Sequence, residues 1–274
     1  MPNLGAILTA IVTPFDASLR VDEEAFVAIG RHLLDHGSDG LVVCGTTGEA
    51  PTLSDEEQRR LIELAVNEFG DTATIVAGAG SNDTRHAVHL TEQATEVGAH
   101  AILSVTGYYN RPNRRGIVRH YEEVARATEV PVLVYNIPSR TTVDLSNDLL
   151  AELAQIEHVD GVKQARATDL ALIDGLDLYA GNDDMLADVL DLGGAGGICV
   201  ASHIVGDEMD RMVEEPGARR EIHAKLADVF STLFITASPI PLKAALNMLG
   251  LPAGRLRLPL VEASDEEVAQ VRTM

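Results

Sequence analysis

The first group in this chain that could do chemistry is a lysine that closes a strand-like run. In Val159-Asp160-Gly161-Val162-Lys163-Gln164 the amine stands at the end of a short apolar segment. A buried ammonium is costly unless it is paired or gives up its proton. The neutral amine that results attacks carbonyl carbon. Taken alone, Lys163 also fits a strand-terminal lysine pointing into solvent, so the rest of the chain must decide. Gly45-Thr46-Thr47-Gly48-Glu49 sets two hydroxyls and several backbone N–H groups between glycines. That set can hold a carboxylate, or it can be an ordinary tight turn. Tyr108-Tyr109-Asn110-Arg111-Pro112 and Tyr135-Asn136-Ile137-Pro138-Ser139-Arg140 add phenols and a guanidinium. Tyr108 and Tyr109 could be core or interface aromatics. Arg140 could be a surface ion-pair residue, or its planar fork could clamp a carboxylate. No acidic cluster or histidine pair joins these groups. The set suits a metal-free, cofactor-free site for a carbonyl compound that carries a carboxylate.

Something must bring these residues together. Short β-branched runs alternate with longer amphipathic stretches along the chain. Strands are predicted at Ala6–Val12, Leu41–Gly45, Thr74–Gly78, Ala101–Val105, Val132–Asn136, Val159–Gln164, Leu176–Gly181 and Gly197–Val200. Helices are predicted at Asp22–His36, Ser54–Phe69, Thr84–Val97, Gly116–Thr128, Ser146–Gln155 and Met185–Asp191, with a short one at Ala167–Asp174. Ser54 with Glu57 three residues on reads as a capping box. Eight strands alternating with helices point to an α/β fold, a closed (β/α)8 TIM barrel, with a doubly wound open sheet as the alternative. The count of eight and the placement of the polar residues favour the barrel. There the reactive groups gather at the C-terminal ends of the strands. Thr46 and Thr47 follow the second strand, Tyr108 and Tyr109 the fourth, Tyr135 and Arg140 the fifth, and Lys163 closes the sixth. Three further helical stretches follow Val200, at about 204–214, 218–236 and 240–249. The expected organisation is therefore a barrel over 1–204 and a C-terminal helical extension over 205–274 packed on it.

Composition narrows the class. The 274 residues are 46% hydrophobic, enough for one large core. No apolar run has the length of a membrane span and no leader opens the chain, so a soluble, cytoplasmic protein is expected. Acidic residues number 42 against 21 basic ones, a net charge of −21. Such a surface repels phosphate backbones, which argues against a nucleic-acid partner. Cys44 and Cys199 lie in strand-like runs and read as buried free thiols. Gly193 to Gly197 looks like a phosphate cradle, but it precedes a strand and reads better as a helix-to-strand turn. His32 and His36 lack a third ligand. His86 and His89 read as surface residues.

The motifs taken together resemble the dihydrodipicolinate synthase family, a group that includes N-acetylneuraminate lyase and keto-deoxy sugar acid aldolases. The resemblance rests on Gly45–Glu49 with Pro51–Ser54, Tyr108–Pro112, Tyr135–Thr141 and Gly161–Lys163. Ser238–Lys243 and Arg257–Pro259 look like the family's C-terminal signature, and the likeness spans essentially the whole chain. It implies a condensation of pyruvate with L-aspartate 4-semialdehyde in lysine and diaminopimelate biosynthesis. Lys163 would form the pyruvate Schiff base. Tyr135, Thr46 and Tyr109 would relay protons, with Tyr109 reaching in from a neighbouring subunit of a homotetramer. Thr47 would bind the pyruvate carboxylate, Ile198 would offer a backbone carbonyl near it, and Arg140 would hold the carboxylate of the aldehyde. A sugar acid aldolase and a catalytically inactive binding homologue are the alternatives. Retention of Lys163, Tyr135 and Thr46 argues against the second. The chain departs from the family at Gly107, where a proline is usual, at Gln164, where an acid is usual, and in a shortened segment between Lys163 and Gly181. Where lysine-sensitive relatives hold free lysine, the matching residues are Ala50, Pro51, Asp55, Gln58, Asn82, His86 and Tyr108, which implies weak inhibition.

Overall fold

The computed structural model describes residues 3–274. Its parallel strands are β1 (Ile7–Ala10), β2 (Gly40–Val43), β3 (Thr74–Gly78), β4 (Ala101–Val105), β5 (Val132–Asn136), β6 (Val159–Gln164), β7 (Asp177–Ala180) and β8 (Gly196–Cys199). Each pairs with the next, and β8 pairs back onto β1, closing the barrel that the alternation predicts. Around it lie α1 (Glu23–Asp35), α2 (Asp55–Phe69), α3 (Thr84–Glu96), α4 (Arg114–Arg126), the single turn α5 (Pro138–Thr141), α6 (Asn147–Leu153) and α7 (Leu186–Leu192). After β8 come α8 (Ser202–Glu214), α9 (Arg219–Thr232), α10 (Ile240–Met248) and α11 (Asp265–Val271). The Ser54–Glu57 capping box forms as read, with both reciprocal bonds present.

Strand side chains alternate between two cores, as a period of two requires. Leu8, Ala10, Val42, Val76, Leu103, Leu133, Tyr135, Tyr179 and Ile198 fill the barrel interior. Ile7, Leu41, Val43, Ile75, Ile102, Val132, Val134 and Val162 pack outward in the larger cluster shared with the helices. Between β5 and β6 the register shifts. Val132 faces Val159, but Leu133 already faces Gly161, so Asp160 is accommodated as a bulge. Above the bulge Tyr135 stands beside Lys163. Residues side by side in parallel strands share a face, and here that face is the barrel interior.

Two stretches differ from the sequence reading. No helix forms at 167–174; the chain makes a turn with Asp169 at φ 54° and reaches β7 through Gly175 at φ 85°. The left-handed Asp169 stands inside the segment and interrupts any right-handed helical run there. The loop is held by side chains instead, with Asn147 Nδ2 donating to the Asp169 carbonyl and Arg166 paired with Asp144 and Asp169. The tail carries one helix more than predicted, α11, which Ser264 and Glu267 start with a second capping box. The boundary expected at 204/205 falls inside α8, where Val205 is non-helical at φ −126°, ψ 38°. Gly193 ends α7 in the left-handed region and Gly196 opens β8, which makes the glycine run the helix-to-strand turn expected.

Candidate active site

The C-terminal mouth of the barrel is not filled. Ala10, Val42 and Gly78 are small where they face inward, and a cavity of about 440 Å³ opens above them. Lys163, Tyr135, Thr46, Arg140 and Tyr108 all line it. Four of the residues predicted for the site, from the loop after β2, from β5 and β6 and from the turn after β5, thus share one space.

Lys163 is 6% exposed. Among the described residues its amine has no hydrogen-bond or ion-pair partner, and Nζ lies 4.4 Å from the centroid of the Tyr135 ring. The amine is thus left open towards the cavity that it lines. The acid that feels its charge is Asp183, itself buried. Asp183 Oδ1 accepts from the backbone N–H groups of Val200 and Ala201 at 2.8 and 2.9 Å, while Oδ2 is buried without a partner. Burial pushes the Asp183 carboxyl up, against the pull of those two N–H groups and of Lys163.

Thr46 and Thr47 sit on a loop that is tied down from several sides. Thr13 Oγ1 donates to the Gly48 carbonyl at 2.7 Å, and Glu49 N donates back to Thr46 O at 3.1 Å. Thr46 faces the cavity, whereas Thr47 is buried beside it and Ile198 is buried in β8. Arg140 rides on α5, whose first residue is Pro138, a favoured start for a helical turn. The guanidinium is exposed at the cavity mouth, and among the described residues it has no ion-pair partner. The two tyrosines after β4 part company. Tyr108 lines the cavity, while Tyr109 is 91% exposed and held at φ 67°. Within one chain Tyr109 does not reach the site.

The departures are accommodated locally. Gln164 is buried and accepts from Asn136 Nδ2 at 2.9 Å and from Arg166 N at 3.1 Å, so a neutral amide serves the acceptor role there. Gly107 lies against the Pro112 ring. His86 keeps the surface position that the sequence suggests, its side chain 41% exposed, but it has partners there. It lines the cavity mouth, bonded to Asp55 Oδ1 at 2.9 Å and Ser81 Oγ at 3.3 Å. Cys44 also lines the cavity, but burial and then Glu57 push its thiol far up, so it stays protonated. Sequence reasoning missed one element, the partnership of Glu49 with the tail. Glu49 falls in one motif and Lys243 in another, and nothing in either says that they meet.

A closed barrel with one unpartnered amine over a phenol, in a cavity sized for small acids, defines a class: barrel enzymes able to bond covalently to a carbonyl substrate. The chain belongs to the Dihydrodipicolinate synthetase family, whose profile matches residues 3–274. It is 41% identical to the 4-hydroxy-tetrahydrodipicolinate synthase of Desulforudis audaxviator, over 99% of this chain and 97% of that one. Among solved structures it is similar to the chloride-inhibited dihydrodipicolinate synthase of Acinetobacter baumannii complexed with pyruvate. That match has TM-score 0.95 and 35% identity, covering 98% of this chain and 97% of that one. The Cyanidioschyzon merolae enzyme with lysine bound matches at TM-score 0.95 and 35% identity, covering 100% and 97%.

Proposed function

We propose that this chain is a Schiff-base lyase that condenses pyruvate with L-aspartate 4-semialdehyde to 4-hydroxy-tetrahydrodipicolinate. The observation that carries the reading is the unpartnered Lys163 amine above Tyr135, in a cavity shared with Thr46 and Arg140. The neutral amine adds to the pyruvate carbonyl carbon and water leaves, giving an imine. The imine draws electrons from the neighbouring methyl, a proton departs and an enamine forms. The enamine carbon attacks the aldehyde carbon of the semialdehyde, whose oxygen takes up a proton. The semialdehyde's own amine then adds to the imine carbon, Lys163 is expelled and the ring closes. Tyr135 and Thr46, with Tyr109 of a second subunit, carry the protons. Thr47 and the Ile198 carbonyl hold the pyruvate end, and Arg140 grips the carboxylate of the second substrate.

Borohydride reduction in the presence of pyruvate tests the first step. The chain has three lysines, Lys163, Lys225 and Lys243, so the adduct is easily mapped. A stable adduct on Lys163 is expected; an adduct elsewhere, or none, overturns the reading. A neutral sugar-derived aldehyde outperforming the semialdehyde would make the chain a sugar acid aldolase instead.

The exposed Tyr109, held in a left-handed conformation, supports a homotetramer built as a dimer of dimers. Mixing Tyr109→Phe with Tyr135→Phe subunits should then restore activity, and a fully active monomer in light scattering would exclude the shared relay. Inhibition by free lysine is expected to be weak or absent, because at the cavity mouth the imidazole of His86 stands where an inhibitor's ammonium needs a carboxylate partner. Strong, cooperative inhibition in a lysine titration would show that this pocket still serves.

A further inference from the structure

Glu49 ends the loop that carries Thr46 and Thr47, and the reaction as derived gives it no task. Its backbone is left-handed, at φ 55° and ψ 34°, a conformation that costs energy for any residue with a Cβ. Its side chain is wholly buried. Oε1 accepts from Lys243 Nζ at 2.6 Å and Oε2 from the Arg257 backbone N–H at 3.0 Å. Lys243 spends its other two N–H groups on the carbonyls of Thr13 and Arg255, at 2.7 and 2.6 Å. Arg257 then reaches past Glu49 and grips the far side of the same segment. Its guanidinium donates to the Thr52 carbonyl, to both oxygens of Glu57 and to the Leu19 carbonyl. Phe15 lies under both cations, its ring centre 4.6 Å from Lys243 Nζ and 4.3 Å from Arg257 Cζ. Both cations belong to the segment after β8, which adds no strand to the barrel.

A fully buried ion pair is a weak stabiliser, because removing two charges from water consumes most of their attraction. Stability alone does not explain why one stands here. Conformation does, because the pair fixes a strained residue two positions after Thr47. We infer that the helices after β8 hold the pyruvate loop in its binding shape, with Glu49 and Lys243 acting as positioning residues for Thr46 and Thr47. The inference rests on the reading of Thr47 as the ligand of the pyruvate carboxylate, with Thr46 beside it on the same loop. It makes the tail part of the pyruvate subsite and leaves the aldehyde subsite, carried by Arg140 on α5, independent of it.

The test compares Glu49→Gln, Lys243→Met and the double variant in the full-length protein. Lys243→Met strands the Glu49 carboxylate, whereas the double variant removes both charges and should be the more stable of the two, though it leaves the Thr13 and Arg255 carbonyls without their donor. The double variant should still form the borohydride adduct on Lys163. Its KM for pyruvate should rise on the order of 10- to 100-fold through misplacement, with KM for the semialdehyde within about twofold of wild type. Glu49→Gln, nearly isosteric, gives the same split between substrates if the double variant does not stay folded. An unchanged pyruvate KM overturns the inference, as does an equal rise for both substrates. Absence of any adduct in the wild type overturns the functional reading and this inference with it. Normal wild-type adduct with unchanged variants overturns this inference alone.

Discussion

Two lysines are buried in this protein, and they are treated in opposite ways. Lys243, 1% exposed on α10, has a carboxylate and two carbonyls around its amine, and all three of its N–H groups are used. Lys163, on β6, has an aromatic face beneath it and an open cavity above, with no acceptor in reach among the described residues. Burial pulls Lys243 down, but Glu49 opposes that pull, and every direction from which a carbonyl could approach is already occupied by an acceptor. Reactivity in a buried amine comes from missing partners, and structural work comes from having all of them.

The largest expected effect breaks the comparison at its reactive end. Lys163→Arg should abolish turnover and the pyruvate adduct altogether, because a guanidinium stays protonated and cannot form an imine. Mass spectrometry after borohydride reduction checks this. At the structural end, Lys243→Met should cost about 3–5 kcal/mol of stability by leaving Glu49 buried and unpaired. Adduct formation on Lys163 should persist at saturating pyruvate. Urea unfolding and trapping on the same sample separate the two outcomes.

A third buried base sharpens the contrast. His203 is fully buried and neutral. Its Nδ1–H donates to Val200 O at 2.8 Å and its Nε2 accepts from Val12 N–H at 3.3 Å, so a second proton has no place to sit. Burial holds its pKa down to about 4, from an ordinary value of 6.5. Below 6.5 the unfolded chain binds a proton that the folded chain refuses. Stability from this group is therefore intact at neutral pH and is lost as pH falls from 6.5 towards 4, by up to about 3 kcal/mol. Asp183, whose carboxyl is raised by burial, works in the opposite direction. The His203 contribution is thus read as the difference in slope between wild type and His203→Gln, in urea midpoints at pH 7 and pH 4.5. An equal slope in both would show that His203 does not drive the acid loss.

The smallest effect concerns a cation left unpaired in the open. Arg140→Ala should weaken use of the semialdehyde by about 2 kcal/mol, or roughly 30-fold in kcat/KM, as expected for one charge-assisted interaction. Pyruvate trapping should be unaffected, and steady-state kinetics with each substrate varied in turn checks the asymmetry.

Most of the barrel was legible because its signals are local. Strands β3 to β6 fall at the predicted residues, since β-branched runs bounded by turns fix them without help from distant contacts. Lys163 and Tyr135 could be named because a strand's C-terminal end can be read from the chain alone. The helix expected at 167–174 failed because the loop is held by Asn147 and Arg166, which lie outside that segment. The bond between His86 and Asp55 could not be read for the same reason, since Asp55 lies 31 residues away. The Glu49–Lys243 bond spans 194 residues, and no pattern of spacing carries that information. Tyr109 is the reverse case. Its motif suggested a role, while the single chain leaves the side chain in solvent.

The bulge at Asp160 has a consequence for how this barrel can change over generations. Because β6 carries its surplus residue below Gly161, the strand's length and the aim of its amine are decoupled. A lineage that drops Asp160 straightens the strand and leaves Lys163 facing inward beside Tyr135. A lineage that drops Val162 instead leaves the same number of residues between Val159 and Lys163, so the bulge takes up that loss as well and the amine keeps its aim. The same single loss in β4, which pairs with β5 without a shift, would turn inward side chains out, so β6 is the strand in which a one-residue gap is tolerated by the reacting group.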